Sequence, residues 1–340
     1  MEYRNLGRSP LQISPLTLGT MMFGGPTDET ESLRIIHHAR DHGINSLDTA
    51  DVYNKGETEK VVAKAITGER DHWVLASKVG NRMTDAPNHV GFSRKWVIEG
   101  VEASLRRLQT DYLDIVYLHR DFPGQSLEEP LRAIDALMQQ GKVRYYGVSN
   151  FRGWRIAETV RMAQQLGMAA PAVLQPVYSL VNRISEQEQL PAAHEYGMGV
   201  ISYSPLARGV LTGKYRSMDD IPADSRVARS DPRILATEWR AESLEVANAV
   251  RERAESRGCT TADFATAWVI HNALVTSAIA GPRTFEQWTS YMQALDVQLN
   301  DDDEAFVDAL VTPGYASTHG YRDLTHVVSG RVAHKVVTQA

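Results

Sequence analysis

The chain has 340 residues, 43% hydrophobic and 23% charged, an ordinary globular composition. Its formal net charge is −6, from 36 basic and 42 acidic residues that are well mixed, so with no basic stripe a nucleic-acid partner is not expected. The single cysteine, Cys259, excludes an intrachain disulfide and predicts a reducing, cytoplasmic setting. No apolar stretch approaches the roughly 20 residues that span a bilayer, so no membrane insertion is expected; the first residues, MEYRNLGRSPLQIS, contain no signal-peptide core.

Residues 1–14 read as a short hairpin with its turn at 7–10. From about residue 15 short branched-apolar runs alternate with helix-period segments. The runs are 15–20, 44–48, 73–78, 112–118, 143–149, 172–176, 199–204 and 276–280, and their unbroken apolar character suits parallel strands covered on both faces. Between them, 29–42 puts Leu33, Ile36 and Ala39 on one helical face. Segment 94–108 repeats Val97, Val101, Leu105 and Leu108 at helical spacing behind Ser93, a candidate N-cap. Segment 127–140 stops before Gly141, a candidate C-cap. Eight strand–helix units predict an α/β fold, a closed (β/α)8 TIM barrel forming one domain over 1–340. Three stretches fall outside the count: the hairpin, a long connection at 207–240 and a polar tail at 312–340. Connections of this length are commonly functional, and 207–240 is expected to fold over a ligand and to be mobile without it. The acidic run 301–304 reads as the solvated first turn of a helix.

In such barrels the functional side chains gather at the C-terminal ends of the strands. Asp48, Lys78 and His119 end or just follow apolar runs, and Tyr53 lies just beyond Asp48. Taken singly, Asp48 could cap a helix, Lys78 could be a strand-end charge and His119 a core histidine. Together they supply a carboxylate, a phenol, an ammonium and an imidazole at one rim. A phenol has a pKa of about 10 and is a poor acid until a neighbouring ammonium stabilises its anion. Lys78 is suited to that, Asp48 to holding Lys78, Tyr53 to donating a proton, and His119 to orienting the acceptor oxygen. His37 and His38 diverge by about 100° on a helix, so they cannot converge on one ion, and no metal is expected.

The blocks LDTADVY, VLASKVG, SLRRLQTDYLDIVYLHR, GKVRYYGVSNF, LQPVYSL, ISYSPLARGVLTGKY and AIAGPRTFEQ stand in order over roughly 16–295. In this the chain resembles the aldo-keto reductase superfamily, close to its bacterial and channel-β-subunit-like branches. The resemblance implies Asp48, Tyr53, Lys78 and His119 as the catalytic tetrad. It also implies a nicotinamide cofactor, since no side chain is a good hydride donor. It puts Ser149, Asn150 and Gln175 on the carboxamide and Tyr203 against the ring. Ser204, Leu206, Gly209 and Lys214 line the pyrophosphate path, and Thr20, Met21, Asp48, Pro205, Arg208, Gly281 and Gln287 complete the set. Arg283 faces the adenosine 2′-phosphate, which favours NADP(H), with NAD(H) as the weaker alternative; read singly, Arg283 could instead be a surface arginine making one ion pair. Where the family often carries a Glu-Asn pair near the adenine, this chain has Ser290 and Tyr291, so adenine recognition is expected to differ.

The expected activity is NADPH-dependent reduction of an aldehyde or ketone to the alcohol, with a small carbonyl or alcohol as partner. The alternative is a nicotinamide-binding regulatory subunit with slow or vestigial reductase activity. A metal-dependent barrel hydrolase would need convergent ligands at several strand ends, and only one histidine lies there. Phe23, Trp96, Phe122, Trp239 and Tyr315 are candidate pocket aromatics.

Overall fold

The structure is a computed structural model that describes residues 1–321 and 323. An N-terminal hairpin pairs β1 (Arg4–Asn5) with β2 (Gln12–Ile13). Eight parallel strands follow: β3 (Leu16–Gly19), β4 (Ser46–Asp48), β5 (Val74–Val79), β6 (Leu113–Leu118), β7 (Val143–Ser149), β8 (Val173–Gln175), β9 (Gly199–Tyr203) and β10 (Ser277–Ala280). Each pairs with its sequence neighbours and β10 returns to β3, closing the expected barrel.

Single helices cross after the first six barrel strands: α1 (Glu29–Asp41), α2 (Glu57–Ile66), α3 (Arg94–Leu108), α4 (Glu128–Gln139), α5 (Gly153–Leu166) and α6 (Gln189–Glu195). Ser93 caps α3 by accepting from the Trp96 N–H, and Gly141 follows α4 at a φ of +71°. Between β9 and β10 lie three helices, α7 (Pro232–Ala236), α8 (Ala241–Ser256) and α9 (Thr261–His271). A capping box between Thr260 and Asp263 starts α9 afresh after α8. After β10 come α10 (Phe285–Gln293) and α11 (Asp301–Leu310). Among the described residues no helix is long and apolar enough to cross a membrane.

The acidic run at the start of α11 departs from the expectation of a solvated turn. Asp303 is buried, completes a capping box with Asn300 and pairs with Arg253 at 2.7 Å and Arg257 at 3.4 Å. Of the tail, the described part runs back along the barrel: Ser317 N–H donates to the Val181 carbonyl at 3.0 Å and Tyr315 C=O accepts from Arg183 N–H at 2.9 Å. The rest of 312–340 lies outside the described residues.

Side-chain alternation along a strand decides what reaches the barrel interior. On β5, Val74 and Ala76 face inward with Ile115, Tyr117, Val173, Ile201 and Ile279, while Leu75 and Val79 face the helices. The hairpin residues Leu6 and Ile13 belong to the same inner cluster and close the N-terminal end of the barrel. Above them Thr17 Oγ1 bridges Ser46 Oγ at 3.1 Å and Ser277 Oγ at 2.8 Å, so buried hydroxyls satisfy one another across three strands. Following the same parity to the C-terminal rim, Asp48, Lys78, Ser149, Gln175 and Tyr203 all share the inward face.

Gly147 makes room for this arrangement. A Cβ there would lie 2.5 Å from the Val173 carbonyl oxygen and 2.8 Å from the Tyr117 ring. Gly147→Ala is therefore expected to displace Tyr117 or part β7 from β8, destabilising the protein by about 1–3 kcal/mol. Urea unfolding checks this; an unchanged midpoint would mean the ring has space to move.

Candidate active site

Lys78 is the floor of the site. Its ammonium is fully buried and carries three partners: the Asp48 carboxylate, the Thr49 carbonyl at 2.8 Å and the Tyr53 phenol oxygen at 3.3 Å. The other Asp48 oxygen accepts from Gln175 Nε2 at 2.7 Å, across the barrel. Thr20 fixes the end of β4, its N–H and hydroxyl both donating to the Asp48 carbonyl at 3.0 and 2.9 Å. A buried ammonium with this many acceptors stays charged. Burial opposes its charge, but Asp48 and Tyr53 together hold it above the ordinary lysine value.

Tyr53 opens a tight 3-10 turn, Tyr53–Gly56, in which Asn54 and Lys55 take left-handed conformations at φ of 45° and 56°. Asn54 secures that turn by donating to the carbonyls of Met21 at 3.2 Å and Phe23 at 3.0 Å. The Tyr53 ring stands edge-on to His119, ring centres 6.1 Å apart. Tyr53, His119 and Tyr203 are each partly exposed at the C-terminal rim.

Electrostatics here correct one expectation. Burial pushes the Tyr53 phenol above its ordinary value; Lys78 pulls it back, and Asp48 adds to the rise. The resting group is therefore a neutral phenol that holds its proton, rather than one already acidified. His119 is held well below the usual histidine range, first by burial and then by the charges of Lys78, Arg233 and Arg120. Its imidazole is neutral, and among the described residues Nδ1 has no hydrogen-bond partner.

Around this floor the other expected residues are drawn together by the barrel. Asn150, at a φ of +60°, accepts the Tyr203 hydroxyl at 2.8 Å and donates to Ser149 Oγ at 3.0 Å. The chain then leaves β9 through left-handed residues Ser204 (φ 62°), Ala207 (46°) and Arg208 (55°) and Gly209 (106°). Strain of this kind persists only where the surroundings enforce it. Here the Arg208 guanidinium pairs with the buried Glu238 at 3.1 Å, and Arg240 reaches the same carboxylate at 3.3 Å. Pro205 and Leu206 are buried, whereas Met21 and Gly281 are exposed.

Segment 207–240 is built rather than bare. Tyr215 packs on Trp239, ring centres 5.0 Å apart, and Asn248 donates to the Arg216 carbonyl at 2.9 Å. It brings Lys214, Arg226 and Arg229 toward Arg283: burial first, and then these three guanidinium groups, lower the Lys214 pKa. Lys214 Nζ also lies close to Gly209. Gln287 sits at the start of α10, its Oε1 accepting the Arg283 N–H at 2.8 Å. The Tyr291 phenol bonds the Gly281 backbone and is pushed up to about 12, chiefly by burial.

Sequence reading did not single out Arg226 and Arg229, although the spaced arginines of DSRVARSDPR were a signal. It also missed Arg233 on α7, whose charge reaches Tyr53, His119 and Tyr203. Two proposed pocket aromatics belong elsewhere. Phe23 is fully buried in the outer core, and Trp96 is buried against His89, ring centres 4.5 Å apart. Phe122 packs edge-on against Phe92, and Tyr315 is exposed. His38 stacks on His42 and meets the Trp288 indole N–H at 3.0 Å.

Behind the floor, Ser77 faces outward because Lys78 faces in. Its hydroxyl donates to Glu59 at 2.6 Å, and Arg107 closes on the other Glu59 oxygen at 2.6 Å. Asp51 is buried beside them, its carboxylate oxygens without a side-chain partner among the described residues. Burial and then the Glu59 charge push its carboxyl up to about 7.

The model describing the Aldo/keto reductase family matches residues 15–312. A probable voltage-gated potassium channel subunit beta of Oryza sativa subsp. japonica is 36% identical over 95% of this chain and 100% of its own. A protein of the same description from Arabidopsis thaliana is 37% identical over 87% of this chain and 92% of its own. An uncharacterized oxidoreductase, YrpG, of Bacillus subtilis is 37% identical over 89% of this chain and 93% of its own.

Lys78→Met leaves the buried Asp48 carboxylate without its cation, and should destabilise the protein by about 3–5 kcal/mol. Adding Asp48→Asn removes the stranded charge and should restore part of that in urea unfolding; a single variant as stable as the parent would deny the pair its structural role. Asp51 binds its proton more tightly folded than unfolded. Its stabilising contribution is thus complete below the unfolded value of about 3.9 and lost as pH rises through about 7. Asp51→Asn should flatten that decline between pH 4 and 8, and parallel stability curves for the two proteins would refute it.

Proposed function

Because the chain belongs to the aldo/keto reductase family, we propose that it is an NADP(H)-dependent carbonyl reductase. It turns an aldehyde or ketone into the alcohol, reversibly, with Tyr53 as proton donor. One observation carries the reading: a phenol at the barrel rim bonded to a buried ammonium that is itself locked to Asp48.

The roles follow from that geometry. A substrate carbonyl oxygen lodged between Tyr53 and His119 accepts the phenol hydrogen and a hydrogen bond from the neutral imidazole. The nicotinamide supplies the hydride to the carbonyl carbon when the cofactor is bound. As negative charge develops on the oxygen, the Tyr53 proton passes to it and Lys78 stabilises the phenolate left behind. Asp48 and the Thr49 carbonyl hold Lys78 at that spot, and Asp48 favours its charged form.

The residues suit the cofactor. Tyr203, tied to Asn150, offers a ring face beside Ser149 and Gln175. Lys214, Arg226, Arg229 and Arg283 concentrate positive charge where a pyrophosphate and a 2′-phosphate would need it. This supports NADP(H) ahead of NAD(H). Tyr291, in place of a polar adenine contact, supports a different seat for that base.

The likeness to proteins described as channel β subunits supports a second reading, a nicotinamide-binding regulatory subunit that oxidises its cofactor once and slowly. Following NADPH absorbance over many turnovers, across small aldehydes, ketones, sugars and keto acids, separates the two.

On the best substrate of that screen, Tyr53→Phe should lose about 10²- to 10⁴-fold in turnover while its cofactor affinity stays near the parent value. A phenylalanine enzyme with parental turnover would remove Tyr53 from the chemistry.

A further inference from the structure

Arg283 was expected either to clamp a phosphate or to make one surface ion pair. In the structure it is taken. Its Nη2 is ion-paired with one oxygen of Asp224, and Arg229 Nη1 donates to the other at 2.8 Å. One carboxylate bridging two guanidinium groups is the arrangement a phosphate adopts between arginines. The Asp224 carboxylate is held by these two guanidinium groups. Its side chain is 74% exposed, and it stands on a turn closed by Ser225 N–H donating to the Pro222 carbonyl at 3.0 Å. Ser225 itself is buried, so the turn is anchored while the carboxylate projects among the cations. Lys214 lies within the electrostatic reach of the same group.

We propose that Asp224 is an internal stand-in for the ribose 2′-phosphate, holding segment 207–240 against Arg283 until a 2′-phosphorylated nucleotide displaces it. This rests on the cofactor reading above and adds a residue that limits cofactor preference. NADPH must break the Asp224–Arg283 pair to reach Arg283, and its phosphate then lies beside a carboxylate. NADH has no 2′-phosphate and leaves the pair in place. Asp224 therefore narrows the preference for NADPH that Arg226, Arg229 and Arg283 would otherwise set.

The test is equilibrium binding of NADPH, NADH, 2′,5′-ADP and 5′-AMP to the full chain, by tryptophan fluorescence or calorimetry. Asp224→Asn should bind NADPH and 2′,5′-ADP roughly two- to five-fold more tightly, the scale of an exposed ion pair removed. NADH and 5′-AMP should stay unchanged. Asp224→Glu should keep the parental ratio, and Asp220→Asn, which removes another exposed carboxylate of the same segment, should leave it alone too. Equal shifts for the phosphorylated and unphosphorylated ligands, the same gain in Asp220→Asn, or weaker NADPH binding in Asp224→Asn would each overturn the proposal. If the parent protein binds none of the four, the carbonyl-reductase reading falls; if it binds them and only the ratio fails to move, Asp224 alone is wrong.

Discussion

The Lys78–Asp48 pair at the barrel floor is the constraint around which the site is arranged. An ammonium taken out of water is costly unless its charge and its protons are all answered. Here a carboxylate, a backbone carbonyl and a phenol answer it, and Gln175 answers the second carboxylate oxygen from across the barrel. Asp48 and Thr49 come from the end of β4, Tyr53 from the turn beyond it and Gln175 from β8, so the pair fixes β4, β5 and β8 relative to one another. It also fixes the phenol. Tyr53 cannot drift without giving up its bond to Lys78, and its left-handed turn is pinned by Asn54 to the loop after β3.

The same strand carries the two sides of this arrangement. With Lys78 facing inward, Ser77 must face the helices, where a buried Glu59 and Arg107 take it up. Polar groups therefore lie on both faces of β5 at the catalytic level, apolar groups on both faces below it. That division lets the lower barrel act as a packed core while the upper barrel holds charge. Asp51, between the two networks, is the carboxyl that the scaffold leaves least well answered.

The pocket rim follows a different logic. Its backbone is strained at Ser204, Ala207 and Arg208, and the strain is offset by the buried Arg208–Glu238–Arg240 group at the far end of segment 207–240. The segment thereby joins the end of β9 to the cations near Arg283. Long connections tolerate change better than strands do, which puts ligand preference in the part of the chain most open to substitution.

The sequence alone determined the barrel, because the alternation of apolar runs and helical periods has few other solutions, and a closed parallel sheet buries both faces of every strand. It also pointed to Asp48, Tyr53, Lys78 and His119 as one group, because strand ends share one rim and the motif order resembles a known family; the structure brings Asp48, Lys78 and Tyr53 into one hydrogen-bonded cluster with His119 edge-on to the phenol. What it could not give were properties set by partners distant in the chain. The net rise of the Tyr53 pKa is a balance of burial against Lys78, and only packing fixes the weights. Asp303 reads as one more surface acid until Arg253 and Arg257 are seen closing on it, 50 and 46 positions away in the chain. Phe23 and Trp96 look like any aromatics until the outer core claims them. The partner of Arg283 cannot be named until Asp224, carried on a segment with no periodicity to read, is brought against it. Periodic elements announce their faces locally, whereas an irregular segment has its contacts decided only by what the closed barrel leaves beside it.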